Sequence, residues 1–238
     1  MRKMIYALMA LVMMVGGMEC SAQTVSGKVA VHDYVDLGLP SGTKWATYNV
    51  GATKPTEYGD YFAWGETKPK AEYSWDTYKW LLDGSLYTKY CTDRKKRKVG
   101  NKTVRNKGKV DNKTVLDAED DAATANWGKE WRMPTAREIS ELIDACNWKW
   151  VEDFMGSGVN GRLGTSKKNG ATIFLPAAGS RLNTDFDSVG VIGSYWSSLL
   201  SENGPVDAYC LFFINFSGID RSNSDCRNYG QSVRAVLR

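Results

Sequence analysis

The stretch "WRMPTAREISELIDAC", Trp131–Cys146, carries the clearest local structure in the chain. Thr135 and Glu138 stand at capping-box spacing, with the threonine hydroxyl ready to accept from the N3 amide and the glutamate to reach back to the cap. Ile139, Leu142, Ile143 and Cys146 follow at helical spacing, so a helix with one apolar stripe is expected from Thr135 to Cys146.

Outward from this helix the periodicity changes. "GRLGTSKKNGATIFLPAAG" (Gly161–Gly179) reads as a hairpin turning at Asn169-Gly170. Three further strands are expected at Ser194–Ser198, Ala208–Ile214 and Ser232–Leu237. On the N-terminal side, "YVDLGLPSGTKWATYNVG" (Tyr34–Gly51) is a hairpin candidate, with Val35 and Leu37 on one arm, Pro40-Ser41-Gly42 as the turn and Trp45–Val50 on the other. "DAEDDAATANW" (Asp117–Trp127) suits a second, weaker helix, its carboxylates favouring the N-terminal end of the dipole. The same carboxylates would also suit calcium, and capping is the simpler account. Two helices among antiparallel strands and long loops make the class α+β.

Residues 1–22 read as a signal peptide. Arg2 and Lys3 precede an apolar run from Ile5 to Val15, and Cys20-Ser21-Ala22 ends in a small residue suited to cleavage before Gln23. The run is shorter than the ~20 residues a bilayer requires. Glu19 spoils a lipobox at Cys20, so membrane association is expected only if that cysteine is lipidated. The exported chain would begin with a lead-in, residues 23–34, and continue as one domain, 35–238, at the periplasm, cell surface or extracellular space.

The formal charge is +4, and removing Arg2, Lys3 and Glu19 leaves +3. Arg94–Lys113 alone holds ten bases against Asp111, a net of +9, which puts −6 on the rest of the domain. This insertion repeats Asn-Lys-Thr-Val at Asn101 and Asn112 and has too few apolar residues to pack, so it reads as a solvated surface loop. Contact with an anionic polymer, glycan or lipid surface is the alternative, since clustered bases attract phosphates and sulfates by charge. No nucleic-acid partner is expected of an exported chain.

Six motifs occur in order: "VDLGLPSGTKWATYNVGA", "EYGDYFAWGE", "DDAATANWGKEWRMPT", "IFLPAAGSR", "GSYWSS" and "RNYGQSVRAV". Together they resemble the Fibrobacter succinogenes major paralogous domain family, assigned to the C-type-lectin-like superfamily, from about Val35 to the C-terminus. The insertion at 94–113 and Ala235, where proline is common, depart from the family pattern. The resemblance implies a C-type-lectin-like fold whose ends meet in one sheet and whose loops bind ligand. Some relatives are targets of diversity-generating retroelements, which mutate adenines in selected codons.

That implication bears on residues 198–229. An Asn codon mutated at its adenines never yields Lys, Gln, Glu, Met or Trp. Between Leu199 and Tyr229 the one such residue is Glu202, and all nineteen lysines lie at or before Lys168. Ala208, Leu211, Phe213, Gly218, Arg227 and Gly230 read as scaffold. Tyr209, Cys210, Phe212, Ile214, Asn215, Asp220, Ser222, Asn223, Ser224, Asp225 and Asn228 are then the candidate diversified, ligand-binding positions. With Leu211 and Phe213 inward, alternation turns Cys210, Phe212 and Ile214 outward. An ordinary sheet edge with a buried Phe212 is the competing reading.

Enzymatic chemistry finds few residues. His32 is the one histidine, ahead of the first expected strand, and no His or Cys cluster suits zinc. No catalytic residue, metal or cofactor is expected. The superfamily includes formylglycine-generating enzymes, which use a close cysteine pair, but the spacing of Cys210 and Cys226 does not match. Cys91, Cys146, Cys210 and Cys226 allow three pairings, of which Cys210 with Cys226 would pin the tail loop to its strand. The expected function is non-enzymatic recognition of a surface protein or glycan, of adhesin or receptor type. The alternatives are a catalytic relative of the formylglycine enzymes and a structural surface protein without a specific ligand.

Overall fold

The computed structural model describes residues 22–84, 86–92, 96–99, 102–105, 110–220 and 223–237, with backbone alone for 96–99 and 102–105. The leader read at 1–22 lies outside the described residues except for Ala22. The chain opens with β1 (Gly27–Val29), β2 (His32–Val35) and β3 (Trp45–Ala46). A long loop follows, holding the short ladder of β4 (Leu81–Leu82) with β5 (Leu86–Tyr87) and then β6 (Lys96–Val99) with β7 (Lys102–Arg105). Next come α1 (Ala122–Trp127), β8 (Trp131–Arg132) and α2 (Ala136–Ala145). The meander β9 (Cys146–Val151), β10 (Gly161–Ser166) and β11 (Thr172–Pro176) leads to the hairpin of β12 (Ser180–Leu182) and β13 (Asp185–Asp187). The chain closes with β14 (Ile192–Leu200), β15 (Asp207–Ile214), β16 (Ile219–Asp220), β17 (Ser224–Cys226) and β18 (Val236–Leu237).

The architecture is α+β and mostly antiparallel. The largest sheet has the order β1-β2-β3-β18-β8, with Val236 opposite both Trp45 and Arg132, so the two ends of the described chain meet in one sheet. The hairpin expected at Asn169-Gly170 is present between β10 and β11, and Gly170 takes φ +74°, a conformation a side chain would resist.

α2 starts where its capping box requires. Thr135 Oγ1 accepts from Glu138 N at 3.2 Å, and Thr135 N donates to Glu138 Oε2 at 2.8 Å. Its apolar stripe is buried, but the helix ends at Ala145 and Cys146 begins β9. The helix expected over Asp117–Trp127 is interrupted. Asp121 takes extended backbone, with its Oδ1 capping Thr124 N at 2.9 Å, so a short 3₁₀ turn (Ala118–Asp120) precedes α1 instead of joining it.

The 94–113 insertion also departs from expectation. β6 and β7 form a two-stranded antiparallel ladder, with Lys96 opposite Arg105 and Val99 opposite Lys102. Its return is clasped where the Asp111 carboxylate accepts from Tyr90 N and Cys91 N, both at 2.8 Å.

The β14–β15 ladder is the spine of the core. On one face Trp196, Ala208 and Cys210 pack with Trp64, Trp131 and Val233. On the other Tyr195, Leu211 and Phe213 pack with Ile139 and Leu142 of α2 and with Ile173 and Leu175 of β11. Gly193 permits this packing, because a Cβ there would lie 2.2 Å from the Phe213 ring. Truncating any of the fully buried tryptophans here would cost ~3–5 kcal/mol.

Candidate ligand-binding surface

β15 presents the expected alternation, but both of its faces are covered over part of its length. Leu211 and Phe213 are buried, as their scaffold reading requires, and Tyr209, Phe212 and Ile214 are half-buried. Asn215 and Asp220 are exposed. Cys210 does not belong with them: it shares the parity of Phe212 and Ile214 but is 1% exposed, because Trp64, Trp131 and Trp196 close over that end of the strand. Asn228 is also buried, its Nδ2 donating to Tyr73 O at 3.3 Å. Neither residue is open to a ligand.

Asn223, Ser224 and Asp225 are half-buried beside β15. Phe212 pairs with Asp220 and Tyr209 with Ser224, so β16 and β17 line the same edge of β15. Ser222 lies outside the described residues. Asp225 faces inward more than a ligand-binding carboxylate would. It accepts from Cys226 N at 2.8 Å and Gln231 Nε2 at 2.9 Å, and burial outweighs both bonds to hold its pKa above the ordinary carboxylate value.

Cys91, Cys146, Cys210 and Cys226 are all in the thiol form, which corrects the expected Cys210–Cys226 bond. Cys226 pairs with Asp207, three residues along β15 from Cys210, a separation of about 10 Å against the ~4.4–6.8 Å between Cα atoms that a disulfide spans. The two side chains also point to opposite faces. Burial pushes the Cys210 thiol well above its usual range, and its Sγ accepts from Asn223 Nδ2 at 3.6 Å.

A residue missed in the sequence holds the outer end of this surface. Arg162 of β10 donates through Nη2 to Ile214 O at 2.9 Å and to Ser217 O, with its guanidinium carbon 5.7 Å from the Trp150 ring centroid. It thereby fixes the turn between β15 and β16, on which Phe216 stands 82% exposed. The signal was faint: a lone arginine in an otherwise apolar and small-residue strand. At the other end, fully buried Arg227 donates to Tyr78 Oη at 2.8 Å, Tyr90 O at 3.1 Å, Pro205 O at 2.7 Å and Lys89 O at 3.3 Å, tying the tail to the long loop.

The remaining candidates divide cleanly. His32 stacks on Trp127 with ring centroids 3.8 Å apart, and burial lowers its pKa. Asp117, Glu119 and Asp120 do converge, but Lys89 Nζ stands among them at 2.7, 3.0 and 2.6 Å and supplies the positive charge a cation would bring. Asp121 caps α1 and also accepts from Met133 N at 2.8 Å. No helix among the described residues is long and apolar enough to cross a membrane. No family model matches this chain, and no curated protein or solved structure matches it either.

Proposed function

We propose that this chain is an exported, non-enzymatic recognition domain of C-type-lectin-like architecture, related to the Fibrobacter succinogenes major paralogous domains, which binds a surface protein or glycan through its C-terminal hairpin. The observation that carries this reading is the support beneath that hairpin: Leu211 and Phe213 are locked in the core while Arg162 grips the turn carbonyls. Tyr209, Phe212, Ile214, Asn215 and Asp220 vary on a rigid base in this reading, and preorganised contact groups bind without an ordering cost. A retroelement that rewrote those codons would alter contacts and leave packing intact. Separation of the two thiols disfavours formylglycine-type chemistry, which needs a close pair.

The test replaces Phe212 and Ile214 together with Ser. Both are half-buried, so the pair should cost roughly 2–3 kcal/mol, below the loss expected of two core positions. The wild-type chain should be retained on a panel of surface glycans and proteins, and the folded double variant should not. Equal retention of both proteins, or unfolding of the variant, refutes the assignment of this face. Copper-dependent oxidation of cysteine-containing peptides, lost in Cys210→Ser, would refute the non-enzymatic reading.

A further inference from the structure

Asparagine is followed by glycine three times, at Asn160-Gly161, Asn169-Gly170 and Asn203-Gly204. Such a pair can react with itself, because a glycine nitrogen has no neighbouring side chain to hinder its approach to the asparagine Cγ. The reaction needs a side-chain amide free to turn and a backbone nitrogen free to meet it. Asn160 is held at both ends, its Oδ1 accepting from Asp153 N at 3.1 Å and its Nδ2 donating to Gly190 O at 3.2 Å. Gly161 is fixed as well, in β10 between β9 and β11. At Asn169 the Nδ2 donates to Asp36 O at 3.0 Å and the Oδ1 accepts from Ala171 N at 3.1 Å, while Gly170 N donates to Ser166 O at 3.0 Å.

Asn203 differs on each count. It stands exposed in the loop from β14 to β15. Its backbone N donates to Ser201 Oγ at 3.2 Å, but its side-chain amide has no hydrogen-bond partner among the described residues. Gly204 N reaches Ser201 O only at 3.4 Å, a long bond that is easily given up. Gly204 takes φ +129°, and nothing lies within 4 Å of the place where a Cβ would stand, so a ring has room to close there. A site held by native bonds reacts only while it is locally open, whereas this one is open in the folded chain.

We propose that Asn203-Gly204 is a self-modification site, at which the folded chain converts Asn203 to aspartate and isoaspartate through a succinimide. The Gly204 nitrogen attacks Asn203 Cγ, a C–N bond forms, and Nδ2 leaves as ammonia with the proton that the Gly204 nitrogen gives up. Water then opens the ring. Breaking the new Cγ–N bond gives aspartate, and breaking the backbone C–N bond gives isoaspartate. Either product adds a negative charge beside Glu202. Isoaspartate also puts an extra methylene into the backbone between Ser201, whose N donates to Asp207 O at 2.9 Å, and Pro205, whose O accepts from Arg227 Nη1 at 2.7 Å. The loop that leads into β15 thus changes charge and length as the chain ages. This conversion does not depend on the recognition reading.

Incubation of the chain in mildly alkaline buffer, followed by peptide mapping with mass detection and isoaspartyl methyltransferase labelling, tests the proposal. In the folded chain Asn203 should convert at least roughly tenfold faster than Asn160 and Asn169. In guanidinium chloride the three should convert at comparable rates, since the bonds that hold two of them are gone. Asn203→Gln should fold as wild type, the position being exposed, and should remove the acidic species that accumulates first. Conversion of Asn160 or Asn169 in the folded chain at the rate of Asn203 overturns the proposal. So does an Asn203 that stays intact in the folded chain while the unfolded chain converts, or an acidic species that persists unchanged in Asn203→Gln.

Discussion

Glu138→Gln isolates the junction that seats α2 on the main sheet. The carboxylate accepts from Arg132 Nη1 at 2.7 Å and Nη2 at 2.5 Å, from Thr135 N at 2.8 Å and from Thr43 Oγ1 at 3.0 Å. Burial alone would raise its pKa; the Arg132 guanidinium and the Thr135 donors overcome that and bring it from 4.5 down to about 2. A shift of that size corresponds to at most roughly 3 kcal/mol at neutral pH. Glutamine keeps part of the hydrogen bonding, so the loss should be ~2–3 kcal/mol, or roughly 5–10 °C in Tm for a domain of this length. The sign follows from the depressed pKa. The carboxylate's contribution is complete above 4.5 and disappears as pH falls toward 2, so the gap between wild type and variant should close over that window. Urea denaturation of both proteins from neutral to acid pH measures it. A difference below about 0.5 kcal/mol at neutral pH, or one that does not shrink in acid, refutes the reasoning.

Asp225→Asn should behave in the opposite sense. Burial raises the Asp225 pKa above 3.8, so its ionisation costs stability as pH rises, and the variant should be the more stable at neutral pH and equal to wild type well below 3.8. The buried Gln231 Oε1, which has no partner, can turn to accept from the new amide, and a loss above about 1 kcal/mol in urea titration would contradict this. Replacing 94–109 with a short glycine linker should change the calorimetric Tm by no more than about 2 °C. Asp111→Ala should cost ~1–3 kcal/mol by stripping the acceptor from Tyr90 N and Cys91 N, and a reversed order would mean that the clasp is incidental. Non-reducing peptide mapping should find Cys210 and Cys226 unlinked, with Cys210 reacting with maleimide only after unfolding; rapid labelling of the folded chain would show that its cover is open.

Local rules alone determined a good deal of this protein. The capping box at Thr135 and Glu138, the stripe Ile139–Leu142–Ile143, the turn at Asn169-Gly170 and the inward pair Leu211 and Phe213 each depend on residues within one or two turns or strand steps, so spacing suffices to read them. The charge division between the 94–113 insertion and the rest was equally legible, because it is a matter of composition. Tertiary structure decided what covers each face. Alternation assigns Cys210 to a side of β15, and only the approach of Trp64 and Trp131 from distant parts of the chain makes that side interior. It separated Cys210 from Cys226 through strand register, placed Lys89 among carboxylates about thirty residues away, and brought Arg162 from another sheet onto the turn that presents Phe216. These contacts join residues far apart in sequence, and periodicity carries no information about which distant surfaces meet.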